Sequence, residues 1–522
     1  MIERWSRDQV LALAPDASSQ KAAQGVSTPA KWSSRGTTGT VLYGECKGSG
    51  AKPYLACVDL TEPAYRCSCP SRKFPCKHAL GLLLMWSADG VPEAAAVPPW
   101  VAEWVEGRAV RAAKAAAKLE AAREQAAQAT SGELGGSISA EPGAASGELG
   151  AAEGAGAAVL GEPGVGSAQP GGPASGAAGS EGPGAAVGQS GGATTGELGA
   201  AGAAKGRVDG GAESVRHARV ATGLAELERW LADQVRQGLA GAAEHDWDGL
   251  AKRLIDAQAP GVAGVVSRLA QVRSEEHWPG RLLEEYALIN LLAVAYRRRA
   301  ELPAPLAQTV LIRAGFPVTR EEVLIRPVVR DQWDVLGRRD DVQDRLTARR
   351  VWLRGRRTGR AALVLSFAPL GQPLDASLVT GTTIDADLTF YPGAAPLRAL
   401  VAARHGAVSP DELVAEQPPT SPEAASPGNP RVPPGMTPDE ALDEVAGALA
   451  DDPWTDSWPL VLSGVVPGSA TLGGLPLHPK ARDPWRLIAV SGGHPVTVAV
   501  EWTPQGLRPL TTWDEEGTAV IL

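Results

Sequence analysis

Phenylalanine, tyrosine and methionine are scarce in this 522-residue chain, at 4, 6 and 3 copies, so the 15 tryptophans must supply most of any aromatic core. Cysteine is scarce as well. Five copies exclude the dense disulfide framework of small secreted scaffolds. No run of ~18 uncharged apolar residues occurs, so no membrane span is expected. The opening residues, Met1 to Asp8, lack the apolar stretch of a secretory leader, and a cytoplasmic location is expected. There is no Walker A loop and no H-E-x-x-H. The seven histidines show no second metal spacing, and His405, His478 and His494 are expected in exposed loops or strand ends. The chain is therefore read as non-enzymatic, with no small-molecule substrate evident. Its net charge of −9 excludes a generic polyanion binder, so any nucleic-acid contact must be local.

What is present centres on Tyr65 to Trp86. There Cys67, Cys69, Cys76 and His78 follow the spacing C-x-C-x6-C-x-H. Three thiols and one imidazole suffice for a closed tetrahedral Zn²⁺ site, and no position is left over for the water a catalytic zinc needs. One structural zinc is the expectation. In extended backbone, residues two apart share a face, so a strand ending at Cys67 would aim both thiols of Cys67 and Cys69 at one point. Residues two apart do not share a helix face. Cys76 is therefore placed before the following helix and His78 in its first turn. Arg66, Arg72, Lys73 and Lys77 surround the ligands. They either offset the charge of about −1 on a three-thiolate zinc or contact phosphates. Cys46 and Cys57 fall in strand-like runs and are expected in the core.

This stretch resembles the SWIM-type zinc finger, C-x-C-xn-C-x-H, and its Cys-Pro-Ser-Arg-Lys-Phe-Pro-Cys-Lys-His wording is similar to bacterial members in particular. The resemblance implies binding to DNA or protein. It also implies company with AAA-type ATPases and von Willebrand-factor-A-like proteins.

Three regions are expected. Residues 1–127 form an N-terminal zinc module, with the finger core at 54–87. In it, Ser6–Leu13 reads as a helix followed by a loop, and Thr38–Cys46, Pro53–Leu60 and Ala64–Cys67 as strands of a small meander. His78–Ser87 reads as a helix apolar nearly all round, hence buried. A long helix opens at Pro98-Pro99, bearing Trp100 and Trp104. Its basic stripe, Arg108, Arg111, Lys114, Lys118 and Arg123, is read as a solvated face near Glu103, Glu106 and Glu120, or alternatively as a phosphate-tracking or partner face. Gly, Ala, Ser, Pro and Glu dominate residues 128–212 and no aromatic occurs, the composition of a disordered tether leaving the two halves free to reorient.

Residues 213–522 form the C-terminal region, helical over 213–316 and α+β over 317–522. Strands are expected at Ala348–Leu353, Arg360–Phe367, Thr382–Tyr391, Leu460–Val466, Trp485–Ser491, Val496–Thr503 and Thr518–Leu522, with a helix at Pro438–Leu449 and a long loop over 407–436. Arg338 to Arg360 is rich in arginine around Trp352 and reads as a core strand with a charged rim, or as a docking or nucleic-acid surface. The fold class is thus α+β and multidomain: a zinc-clipped β-meander plus helix, a linker, a helical subdomain, then a mostly antiparallel sheet. Two functions follow. The zinc module is an adaptor for nucleic acid, DNA through Arg66, Arg72, Lys73 and Lys77, or for a protein partner. Alternatively the chain is a protein scaffold serving an AAA-type ATPase, with no nucleic-acid contact.

Overall fold

The computed structural model describes residues 2–135 and 201–522, except 49, 51, 242–243, 276, 344–345, 371, 408–428, 430 and 482–483. Most of the expected tether, and most of the expected loop over 407–436, lie outside the described residues. At the tether's edges the chain is helical, up to Gly135 and again from Ala201.

The N-terminal region begins with α1 (Arg7–Ala12), started by a capping box between Ser6 and Gln9. A second helix, α2 (Ala17–Gln24), stands where a loop was expected, because Asp16 caps it by accepting from the Ser19 amide. Four antiparallel strands follow in sequential order: β1 (Trp32–Thr37), β2 (Val41–Cys46), β3 (Tyr54–Asp59) and β4 (Ala64–Cys67). The meander therefore gains one strand, β1, whose Ser-Ser-Arg-Gly sequence hides its pairing with β2.

Helix α3 (Lys77–Ser87) crosses one face of this sheet. Every residue from His78 to Trp86 is buried, as an all-round apolar helix requires. Leu80, Leu82 and Leu83 pack with Val10, Trp32, Leu42 and Val58, and each such side chain contributes roughly 1.5–3 kcal/mol by leaving water. Helix α4 (Pro99–Gly135) covers the other face, where Val101, Trp100 and Trp104 meet Val41, Tyr43 and Cys57.

In the C-terminal region the helices α5 (Ala201–Gln237), α6 (Glu244–Asp256), α7 (Pro260–Val272), α8 (Trp278–Arg297) and α9 (Ala304–Ala314) share one core around Trp247, Tyr286 and Tyr296. Gly315 ends α9 in the left-handed region, φ 114°. A Cβ on Gly261 would come within 2.1 Å of the Arg313 carbonyl, so glycine is what lets α7 and α9 touch. A short α10 (Arg320–Leu324) leads into the strands.

The mostly antiparallel strands expected here are present, and five of them close into a barrel. Strands β5 (Val328–Gln343), β6 (Leu346–Gly355), β7 (Ala361–Pro369), β8 (Thr383–Phe390) and β9 (Arg398–Ala407) close in the order β5-β6-β7-β9-β8. Closure needs the parallel pair β7–β9, Leu363 opposite Arg398. Trp333, Val335, Val351, Leu353 and Ala386 fill the interior. The opposite face, through Leu336, Trp352 and Leu363, packs on a second sheet. That sheet has the order β10-β13-β14-β15: β10 (Trp458–Val465), β13 (Val496–Thr503), β14 (Gly506–Trp513) and β15 (Ala519–Ile521). The ribbon β11 (Thr471–Leu472) with β12 (Leu475–Pro476) stands beside it. Helix α11 (Pro438–Asp451) packs on the sheet through Ala441 and Val445. Trp485–Ser491, expected as a strand, lies in helix α12 (Pro484–Ser491), which Pro484 opens and where Leu487 and Ser491 share the buried face.

Residues 1–128 and 215–522 form one compact unit. The link between β7 and β8 joins them: Ala376 and Val379 sit in the core of the zinc module, and Gln9 donates to the Thr380 carbonyl at 2.9 Å. Against the expectation of freely reorienting halves, the two regions share buried apolar side chains.

Candidate metal centre

The centre is built by a strand end and a helix start. Strand β4 ends at Cys67, opposite Ala56 of β3, and the Ser68 amide extends the pairing to the Leu55 carbonyl at 2.9 Å. This holds the Cys67-x-Cys69 segment at the sheet edge. Cys76 is the N-cap residue of α3, with extended backbone, and its carbonyl accepts from the Leu80 amide at 3.0 Å. His78 lies in the first turn and is buried.

The four side chains converge. One ligand atom from each of Cys67, Cys69, Cys76 and His78 lies within 4.8 Å of all the others. The Cys67 sulfur is 3.7 Å from Nδ1 of His78. In a tetrahedral zinc site, bonds of 2.3 Å to sulfur and 2.0–2.1 Å to nitrogen put such a pair about 3.6 Å apart. The donor set and its spacing fit one Zn²⁺ with every position taken by protein. Among the described residues no second His, Cys, Asp or Glu cluster converges in this way.

Electrostatics within the cluster favour a thiolate at one sulfur first. The Cys67 thiol donates to Cys76, and His78 and the Ala79 amide add to this, holding the Cys76 thiol well below its ordinary value despite burial. The same bond, with burial, pushes the Cys67 thiol up, and burial raises Cys69. Metal binding must displace protons from the latter two. Cys57 is pushed up to about 12 by burial, and Cys46 is raised by burial as well. Both are buried: Cys57 lies on the α4 side of the sheet, whereas Cys46 shares the core that Cys76 enters, and neither belongs to the four converging ligands.

Two features escaped the sequence reading. The Tyr54 ring stacks on His78 at 4.8 Å between centroids, which fixes the imidazole's orientation. Sheet order also collects cations at the metal end. Lys31 precedes β1, Lys47 follows β2 and Lys52 precedes β3, beside Arg66, Arg72 and Lys77. All six are exposed, and among the described residues none lies in ion-pair contact with a carboxylate. Of the four cations named from sequence, Lys73 alone is paired, to Asp16 at 2.7 Å. The offset between strand ends and lysines was readable once β1 was recognised.

The basic stripe of α4 is partly spent inside the molecule. Arg108 approaches Asp59 and Glu62, each at 3.5 Å, and lies over the Trp104 ring. Arg123 donates to the Leu324 carbonyl at 3.0 Å. Neither uses the expected Glu103, Glu106 or Glu120. The expected exposure of His478 is also wrong. Its ring is buried, with Nδ1 accepting from the Lys480 amide at 2.8 Å. His405 is exposed, as expected, with its Nε2 3.1 Å from Asp387.

Comparison with known proteins agrees with this geometry. No curated protein and no solved structure matches the chain. Two family models do, the SWIM zinc finger over residues 57–87 and the SWIM-associated four-helix bundle domain over residues 215–314, from within α5 to the end of α9. The stretch that gathers Cys67, Cys69, Cys76 and His78 is thus a SWIM zinc finger, and the chain carries the helical domain associated with that finger.

Proposed function

We propose that the zinc module is a nucleic-acid-binding adaptor whose metal is structural. Cys67, Cys69, Cys76 and His78 would hold one Zn²⁺, which supplies a cross-link between β4 and α3. With four protein donors the site has no vacancy for a reacting water, which supports a non-catalytic role. The observation that carries the binding reading is the row of six exposed cations at the metal end of the sheet, Lys31, Lys47, Lys52, Arg66, Arg72 and Lys77. A chain of net charge −9 that leaves so many cations unpaired in one place has a local surface suited to phosphates.

The test is duplex DNA binding by the full chain against salt. Affinity should fall steeply as salt rises, and Arg66→Gln/Arg72→Gln/Lys77→Gln should lower the slope by about 0.9 per contact removed. A flat salt response, or no binding at low salt, would sink the reading. A protein-binding adaptor is the second reading. It is favoured by the exposed Val342, Leu346, Phe367 and Leu370 near one end of the barrel.

A further inference from the structure

A cavity of about 1220 Å³ lies where the helices α7, α8 and α9, the barrel and the second sheet meet, well away from the cysteines. It is larger than the sites that ordinarily enclose one small molecule, so it suits an extended ligand. Seven arginines line it among apolar residues and five carboxylates, of which Glu284 and Glu285 pair with Arg281 and Asp452 with Arg313. Arg281 and Arg313 project from the helical side. Arg339, Arg350 and Arg508 come from β5, β6 and β14. Arg268 and Arg398 are exposed lining residues, and among the described residues neither has a carboxylate within ion-pair distance.

The strand-borne arginines are held in place before any ligand arrives. Glu501 is 1% exposed and accepts from Ser457 at 2.9 Å. It also pairs with Arg339 and approaches Arg508 at 3.6 Å. The Arg339 guanidinium lies over the Trp352 ring. One buried carboxylate is thus shared by two guanidinium groups, and the Nε of Arg508 is buried with no hydrogen-bond partner among the described residues. Among the described residues the one carboxylate in ion-pair reach of Arg350 is Asp341, at 3.4 Å, and Asp341 is already engaged by Arg339. The arginines outnumber the lining carboxylates, so positive charge is left over in a cleft partly open to solvent, where it attracts anions.

The same lining carries flat side chains. Tyr391 and Trp502 are half-buried there, and Arg398 stacks over Tyr391 at 4.0 Å. Planar guanidinium groups beside aromatic rings suit a ligand that alternates phosphates with flat bases. An acidic peptide would use the charge but not the rings. This also gives a use to the arginine-rich stretch around Trp352, which the metal centre leaves unexplained.

We propose that this cavity binds a short segment of single-stranded nucleic acid, with phosphates on Arg268, Arg398 and Arg350 and a base against Tyr391. The site is independent of the zinc module. The test is fluorescence anisotropy of a labelled oligothymidine of about eight nucleotides with the full chain, over a range of salt. Arg268→Gln/Arg398→Gln should weaken binding at least ~10-fold and lower the salt slope by about 1.4, two contacts at ~0.7 each. Tyr391→Leu should weaken binding about 10-fold with the slope unchanged. The loss from Arg268→Gln/Arg398→Gln should persist when it is made in the Arg66→Gln/Arg72→Gln/Lys77→Gln background, which separates this site from the zinc module. No binding by the parent overturns the proposal, as does equal binding and slope in the Arg268/Arg398 variant. Loss of binding only in the zinc-module variant also overturns it, as does displacement by polyglutamate at matched charge.

Discussion

The hydroxyl of Tyr65 donates to the carbonyl of Ala376 at 3.2 Å, joining the strand that ends in Cys67 to the link between two barrel strands. The bond is buried, and Tyr65 also meets Phe74 edge to face at 5.9 Å. Tyr65→Phe keeps the ring and leaves the Ala376 oxygen without its donor. It should cost about 1–3 kcal/mol in chemical denaturation. A variant as stable as the parent would show that the bond does not hold the two regions together.

Zinc content gives the direct check on the metal centre. The parent should carry one zinc per chain by elemental analysis, and Cys76→Ala should carry none. Because Ala376 and Val379 lie in the zinc module's core, chelation should also lower the melting temperature of the helical and barrel regions. Unchanged melting of those regions after complete metal removal would count against the shared core.

Leu82 lies wholly buried on α3. Leu82→Ala removes the packing between that helix and the sheet and should cost about 2–5 kcal/mol. Lys52→Gln, exposed near the same sheet, should stay within about 0.5 kcal/mol of the parent. Urea midpoints of both variants decide the comparison.

His478 gives a pH signature. Burial, with Arg508, Lys480 and Arg339 nearby, lowers its pKa from 6.5 to about 4. The unfolded chain therefore binds this proton more readily than the folded one. Stability from the neutral ring is complete above about pH 6.5 and is lost as pH falls toward about 4. The difference in stability between parent and His478→Asn should shrink over that window. A constant difference from pH 7 to pH 4 would remove His478 as the cause.

The metal centre was legible because each of its requirements is local. Cys67-x-Cys69 reads as a strand end, Pro75-Cys76 as a helix start, and the apolar run to Trp86 as a buried helix. The barrel was not legible. Strand β5 carries Arg338, Arg339, Asp340 and Asp341 in a row, so its inward alternation is masked by charges that pair with neighbours such as Arg349 and Glu501. Its closure depends on Leu363 meeting Arg398, a parallel contact with no local signature. Trp485 to Ser491 was misread because a short apolar run fits a strand or a helix equally well, and tertiary packing decides.

Order of synthesis gives the shared core one last consequence. Ala376 and Val379 complete packing around residues such as Leu83 and Trp86, yet they follow Trp86 by about 290 positions. At roughly 5–20 residues per second, a ribosome needs on the order of 15–60 s to supply them. During that interval the nascent finger presents a greasy gap to the cell. The emerging chain therefore offers chaperones a handle that the finished protein conceals.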